Sequence, residues 1–387
     1  MVFILACIAI LSTTPYVFKQ FLPLPSDISI IILSLGLFVC LAIYNHRLKP
    51  LPGAFNLCVI IQFISWLLYV IIHDDTSYVT RIIFLIFTYL IVLLLSNSIG
   101  IKEFIRKNNL WITIQAVLGL FAFLLILIGV LHPFFTFQNV DGRTAYCYGL
   151  TCSNVAFGNV IRSAGYFDEP GALACWGVYA LVLNKLYIKD RRIEIALIIG
   201  LLSTFSTAYY IQLFVYLLFY KIKTNIKSLI LLLIVGVIGL FVYNQGPEND
   251  IYKLIYGRIN VNEYGEVETN RDDLTNAAKD LYRLSPIWGN GARTIEKKGE
   301  YIADNPYETL AVDGIIGTIV IYLPLIILVV LNLRRIDVLK GIIIIALGYL
   351  QRPFHLVLLH YIMLFSFLYL GVINARKISL GSKSAIK

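Results

Sequence analysis

Residues 193–220 read IEIALIIGLLSTFSTAYYIQLFVYLLFY, and the way this stretch meets a membrane fixes the arrangement of everything around it. At 28 residues it is too long for one straight helix across a hydrocarbon core, which takes about 20 residues, and short for two of ordinary length. Its flanks decide between them. Lys185, Lys189, Arg191 and Arg192 precede it, and Lys221, Lys223 and Lys227 follow it. A single crossing would leave one basic cluster outside the cytoplasm, against the positive-inside tendency. Two short helices turning at Ser203-Thr-Phe-Ser-Thr-Ala-Tyr-Tyr210 keep both clusters inside.

Outward from this hairpin the chain is a series of apolar runs, near 2–18, 27–44, 53–72, 79–96, 110–131, 170–184, 226–243, 311–332, 338–350 and 354–374. With 59% hydrophobic residues, 14% charged and a mean hydropathy of +0.80, the composition excludes a water-soluble globule. Backbone groups in lipid must be satisfied within the segment, so these runs predict helices, and the two-residue alternation of a membrane barrel is absent. Val2 to Phe18 has neither a basic leader nor a small-residue cleavage site and is expected to be a retained helix. The expectation is an all-α, polytopic helical membrane protein, a single integral membrane domain over 1–387, with eleven to twelve crossings and both termini cytoplasmic.

On this topology the net charge of +9 separates into two faces. Nineteen basic and four acidic residues fall inside, thirteen basic and nineteen acidic outside, giving +15 against −6. The basic balance reports orientation, and no nucleic-acid partner is expected. The cytoplasmic connections are short basic turns without a nucleotide-binding domain. Gly289-Asn-Gly291 lacks the strand and the Lys-Ser/Thr of a phosphate loop. Function is expected in two larger external loops, 132–169 and 245–310, rich in Gly, Asn, Asp and Tyr.

Eight of the thirteen external basic residues are arginines: Arg81, Arg143, Arg162, Arg258, Arg271, Arg283, Arg293 and Arg352. Orientation needs only charge, whereas the guanidinium fork suits phosphate and carboxylate. Pairing with loop carboxylates or lipid headgroups is the competing role for each. Arg162-Ser-Ala-Gly-Tyr-Phe-Asp-Glu-Pro-Gly171 opens directly into an apolar helix, with Asp168 or Glu169 as cap, Pro170 in the first turn, and glycines for tight backbone turns. A second junction, Asp304-Asn-Pro-Tyr-Glu308, predicts Asn305 as cap and Pro306 as first helical residue. Asp313 then falls inside the helix near the interface and is expected to snorkel. Gln351-Arg-Pro-Phe-His355 is a short, polar outer turn.

Together these stretches carry a resemblance. Arg162-x-x-Gly165-x-Phe167-x-Glu169-Pro170, the Ser-Thr-Phe-Ser-Thr hairpin, Ser285-Pro286-x-x-Gly289-x-Gly291, and Asn305 followed by Gly314-x-x-Gly317 resemble, in order and topological side, the Wzy O-antigen polymerase family. The likeness runs from about residue 140 to residue 370 and extends to the wider superfamily that includes the O-antigen ligases. It implies a GT-C-like glycosyltransferase of a bacterial inner membrane, independent of metal and cofactor. Donor and acceptor would be glycans on undecaprenyl pyrophosphate, with membrane lipids around and a chain-length regulator and a flippase as pathway partners.

On that resemblance Arg162 and Arg258, then Arg293 and Arg352, are expected to contact pyrophosphate or sugar. Glu169 is the expected acid/base carboxylate. Arg143, Gly165, Tyr166, Arg271 and Asn305 are expected in substrate binding. Asp304 stands where the ligases commonly show His, which weakens the ligase reading and makes Asp304 an alternative base. A polymerase, a ligase and a flippase or other transporter stay open. Cys147 and Cys152 share the first external loop, and their spacing leaves a disulfide open. The five histidines show no metal-ligand spacing.

Overall fold

The computed structural model describes residues 36, 49–97, 100–138, 144–157, 160–167, 169–221, 233, 236–237, 239–246, 248–250, 252–253, 259–261, 267–269, 272–297, 302, 305–351 and 357–384. The structure is mostly helical and divides into two compact units. Among the described residues, six helices are long and apolar enough to cross a membrane: 53–73, 77–97, 101–127, 170–188, 308–331 and 358–375. Of the other expected spans, 2–18 lies outside the described residues, as do all of 27–44 except Gly36 and much of 226–243.

The first unit holds α1 (Gly53–His73), α2 (Ser77–Asn97), the first turn of α3 (Ile101–Leu127), and the helices that follow residue 271. Those are α7 (Asp272–Leu284), α8 (Ala292–Lys297), α9 (Glu308–Leu331), α10 (Ile336–Gln351) and α11 (Leu358–Ser384). Helix α1 shows why lipid is the solvent. Phe55, Cys58, Gln62, Trp66 and Tyr69 recur at helical spacing on the buried face, while Leu57, Ile60, Ile64, Leu67, Leu68 and Ile71 are exposed. The aliphatic face points outward and the polar and aromatic face inward, the reverse of a helix on a water-soluble core. The Gln62 amide donates to the Val320 carbonyl at 2.6 Å, so α1 and α9 share a hydrogen bond inside the bundle. Helices α1, α2, α9 and α11 pack together around these residues.

Tight connections follow from local chemistry. Helix α1 ends at Asp74 in the left-handed region (φ 47°), and the Asp75 carboxylate accepts the Ser77 N–H at 2.8 Å to start α2 only a few residues later.

The second unit holds the rest of α3, the long loop that follows it, α4 (Pro170–Leu183), α5 (Arg191–Gly200) and α6 (Thr207–Tyr220). The loop is not plain coil. It forms the antiparallel sheet β1-β2-β3 (Phe135–Gln138, Thr144–Cys147, Cys152–Ser153) and the pair β4-β5 (Ala156–Phe157, Val160–Ile161). A further strand pair, β6-β7 (Ile259–Val261, Val267–Thr269), belongs to the second long loop.

Residues 193–220 reverse direction. Helix α5 starts on an Asp190 cap, a tight helical turn over Leu201–Thr204 ends at Phe205 in the left-handed region (φ 45°), and α6 returns. At the return, the Lys221 ammonium lies 3.0 Å and the Lys185 ammonium 3.9 Å from the Glu194 carboxylate, which also accepts the Tyr216 hydroxyl. Residues 185, 194 and 221 therefore share one end of the helical group, with the Ser-Thr turn at the other. The helices are shorter than ordinary spans: ten residues of α5 rise about 15 Å and the tight turn adds about 8 Å, against a core of about 30 Å.

Candidate functional site

Polar groups buried in a membrane bundle are the first place to look for function, because each must be compensated locally. Among the described residues each unit has a buried polar cluster at an interrupted helix.

In the second unit the cluster forms where the loop before α4 meets the hairpin turn. The Ser163 N–H donates to the Ser203 carbonyl at 2.9 Å, and the Arg162 guanidinium donates through Nε to the Thr204 carbonyl at 3.0 Å. Arg162, Ser163, Ser203, Thr204 and Ser206 are all buried. The turn leaves carbonyls without helical partners, and the loop strand supplies the donors. Thr151 and Ser163 hydroxyls lie 3.0 Å apart, and Thr151 accepts the Gly165 N–H at 2.9 Å. Gly165 has φ +61°, and a Cβ there would meet Gln115, whose Oε1 accepts the Tyr166 N–H at 3.0 Å. The glycine is a packing requirement, and Tyr166 is anchored by its hydroxyl on the Gly149 carbonyl at 2.6 Å and by stacking on Trp111.

Glu169 takes the cap position of α4 with Pro170 as the first helical residue, but its side chain makes no cap hydrogen bond. Glu169 thus holds the expected cap position by its backbone: its extended conformation (φ −153°, ψ 157°) and the fixed φ of Pro170 start the helix, while Asp168, the other expected cap, lies outside the described residues.

In the first unit the cluster lies at a break in α9. Gly314 (φ 65°, ψ −172°) interrupts the helix, and the loop carrying Ser285-Pro-Ile-Trp-Gly-Asn-Gly291 fills the gap. The Asn290 and Gly291 N–H groups donate to the Ala311 and Val312 carbonyls at 3.0 and 2.9 Å, while Ile315 and Ile316 donate to the Pro286 and Ile287 carbonyls at 2.9 and 3.2 Å. A Cβ on Gly289 would lie 2.2 Å from the Val312 oxygen, and one on Gly314 2.4 Å from the Ile287 oxygen, so only glycines allow this approach. The His73 ring is hydrogen-bonded to the Trp288 carbonyl at 3.0 Å.

The residue before the break is Asp313, and it does not snorkel. It is fully buried, with Arg81 Nη1 at 2.8 Å from Oδ1, the Tyr78 hydroxyl donating to the same oxygen at 3.0 Å, and the Tyr69 hydroxyl donating to its carbonyl at 2.7 Å. The reason is steric and electrostatic together. Gly317 leaves room against Asp313 Cβ and Tyr69, and Arg81 brings a compensating charge that is equally buried. The guanidinium also lies over two rings, 4.8 Å from the Trp66 centroid and 4.7 Å from that of Tyr78. At the turn between α1 and α2, Asp75 accepts the Arg293 N–H at 2.9 Å as well as that of Ser77. Burial opposes the Asp75 charge, yet these donors and the Arg81 charge outweigh it and hold the carboxyl below its ordinary value of 3.8.

The expected site residues separate accordingly. Arg162, Gly165, Tyr166 and Glu169 share one segment of the second unit. Arg293 is in the first unit, its backbone bound to Asp75 and its side chain exposed. Asn305 is buried but does not cap α9, which begins at Glu308. Its Oδ1 accepts the Tyr307 N–H at 2.8 Å and its amide donates to the Ile302 carbonyl, a local turn that leaves the Asn305 side chain a structural part. Arg143, Arg258, Arg271, Asp304 and Arg352 lie outside the described residues. Arg81, Asp313, Tyr69, Tyr78 and Trp66 were not expected as a site. The available signal was an arginine and an aspartate each inside an otherwise uncharged apolar run. Among the described residues no group of three His, Cys, Asp or Glu side chains is placed to hold a metal ion.

No known protein family, no curated protein and no solved structure matches this chain.

Proposed function

We propose that this chain is a membrane-embedded glycosyltransferase that polymerises lipid-linked polysaccharide repeat units at the outer face of a bacterial inner membrane. The observation that supports this reading best is the docking of the Arg162-x-x-Gly165 strand on the Ser203-Thr204 turn, which buries a guanidinium in the same chain segment that carries Glu169 at the start of α4. In the proposed reaction the acceptor hydroxyl attacks the anomeric carbon of the donor glycan, the bond from that carbon to the pyrophosphate oxygen breaks, and undecaprenyl pyrophosphate departs with the charge. Arg162 would stabilise the departing pyrophosphate, and Glu169 would take the hydroxyl proton. Arg258, Arg293 and Arg352 are proposed as further pyrophosphate or sugar contacts. Asp304 is the alternative base. The proposal includes twelve crossings, a GT-C-like arrangement, cytoplasmic termini and a separate chain-length regulator.

A second reading, a transporter, draws on the break in α9 with its buried charge pair, since discontinuous helices mark substrate sites in many carriers. Against it, the broken ends at 311–312 and 315–316 are already bonded to the 286–291 loop and do not face a substrate. Deleting the gene in its own bacterium separates the readings. A polymerase loss leaves acceptors bearing a single repeat unit, and a ligase loss leaves polymer on its lipid carrier. A flippase loss leaves single lipid-linked units that never reach the outer face, and that result would overturn the proposal.

A further inference from the structure

Strands β2 and β3 place Cys147 directly opposite Cys152, and both side chains are buried. The backbone tells which kind of opposed pair this is. Tyr148 N–H donates to the Thr151 carbonyl at 2.9 Å, so 148 and 151 are a hydrogen-bonded pair, and the alternation of an antiparallel ladder makes 147 and 152 a non-hydrogen-bonded one. The neighbours agree. The Cys147 carbonyl faces β1, accepting the Phe134 N–H at 2.8 Å, and the Cys152 N–H and carbonyl are both engaged on its other side by Gly165 and Ala164, at 2.6 and 3.0 Å. In such a pair the Cα atoms stand about 4.5 Å apart with side chains turned toward each other. A disulfide takes Cα separations of about 4.4–6.8 Å.

We propose that Cys147 and Cys152 are joined by a disulfide that staples the β2-β3 turn behind the strand carrying Arg162. The proposal rests on the reading that loop 132–169 is external, where thiols meet an oxidising compartment. The oxidant is a disulfide-donating thiol oxidoreductase or a small-molecule disulfide. The two thiols give up two protons and two electrons, the Sγ–Sγ bond forms, and the donor disulfide is reduced to two thiols. Both cysteines are free thiols in this structure, and a hydrogen bond from Cys152 lowers the Cys147 thiol below the ordinary range, which favours the thiolate that starts the exchange. The consequence reaches the candidate site, because Cys152 is bonded through its backbone to Gly165 and Ala164, within three residues of Arg162.

The test is differential alkylation of the full-length protein. Membranes are denatured in excess maleimide without reductant, then reduced and treated with a second, heavier alkylator, and the peptide spanning 147–152 is read by mass spectrometry. The expected result is the second label on both Cys147 and Cys152, with the first label on Cys58 and Cys175, which lie in helices α1 and α4. The first label on Cys147 and Cys152 overturns the proposal. A second arm then says why: the reduced, detergent-solubilised protein is given oxidised glutathione. If the bond closes there, the strand geometry holds and the external placement of the loop has failed. If it does not close while the protein remains folded, the geometry itself has failed.

Discussion

The two units solve one problem in two ways. Each interrupts an apolar helical run, and each closes the interruption with a loop: residues 286–291 at the α9 break in the first, residues 162–163 at the α5–α6 turn in the second. In the first unit the nearby arginine is neutralised. Arg81 meets the Asp313 carboxylate and lies over Trp66 and Tyr78, all out of solvent. In the second, Arg162 is oriented by a neutral carbonyl at Thr204. The first arrangement is that of a structural clamp, and the second ties the Arg162 side chain to the turn through its Nε.

The largest effect that would break this contrast lies at the clamp. Arg81→Ala or Asp313→Ala alone should cost about 3–5 kcal/mol by stranding a buried charge, while Arg81→Met with Asp313→Leu should recover much of it. Thermal aggregation in detergent, monitored by size exclusion, checks this. Single variants as stable as the parent would refute the clamp.

Arg162→Ala should act on turnover more than on folding. Loss of a donor aimed at developing charge costs about 100-fold or more in rate, and Arg162→Lys should restore little, since the Nε bond to Thr204 needs the guanidinium. Polymer length in cells and the thermal midpoint of the same variant, measured together, separate the two. Unchanged polymer would remove Arg162 from the site.

Gly289→Ala sharpens the loop side of the comparison. A Cβ 2.2 Å from the Val312 oxygen at φ +76° should cost about 1–3 kcal/mol, seen as faster proteolysis of the second external loop. Gly36 and Gly53, with nothing within 4 Å of an added Cβ, serve as controls.

The smallest effect is at Asp75. Its folded carboxyl is held below 3.8, so the stability from its charge is present above that value and lost as pH falls through the lower folded value. Asp75→Asn should lower the midpoint slightly at neutral pH, by roughly 1 kcal/mol or less, and the gap from the parent should close in acid. A gap that widens below pH 3.8 would contradict the assignment.

Much of this was legible in the sequence. Apolar runs gave the long helices, and lysines on both flanks of residues 193–220 gave the reversal, which the Lys185–Glu194–Lys221 contacts explain. The motif Arg162-x-x-Gly165 and the Ser-Thr turn were read separately and meet in space, as do Ser285-Pro286-x-x-Gly289-x-Gly291 and Gly314-x-x-Gly317. What the sequence hid was pairing at a distance. Arg81 and Asp313 are 232 positions apart, and no local rule distinguishes an interface arginine from a buried one until its partner is known. The loop strands were hidden too, because β3, β4 and β5 are two residues long and leave no alternation to detect. Asn305 misled because a turn and a helix cap favour the same residue for the same hydrogen bond.

The central claim is that Arg162 is aimed for chemistry on a lipid pyrophosphate, and purified protein can test it. Reconstituted with lipid-linked repeat units alone, the parent should build a ladder of lipid-linked polymer, and Arg162→Ala, folded to the same midpoint, should build little beyond a dimer. A parent that never forms a ladder, or an Arg162→Ala variant whose ladder matches it, would contradict the account.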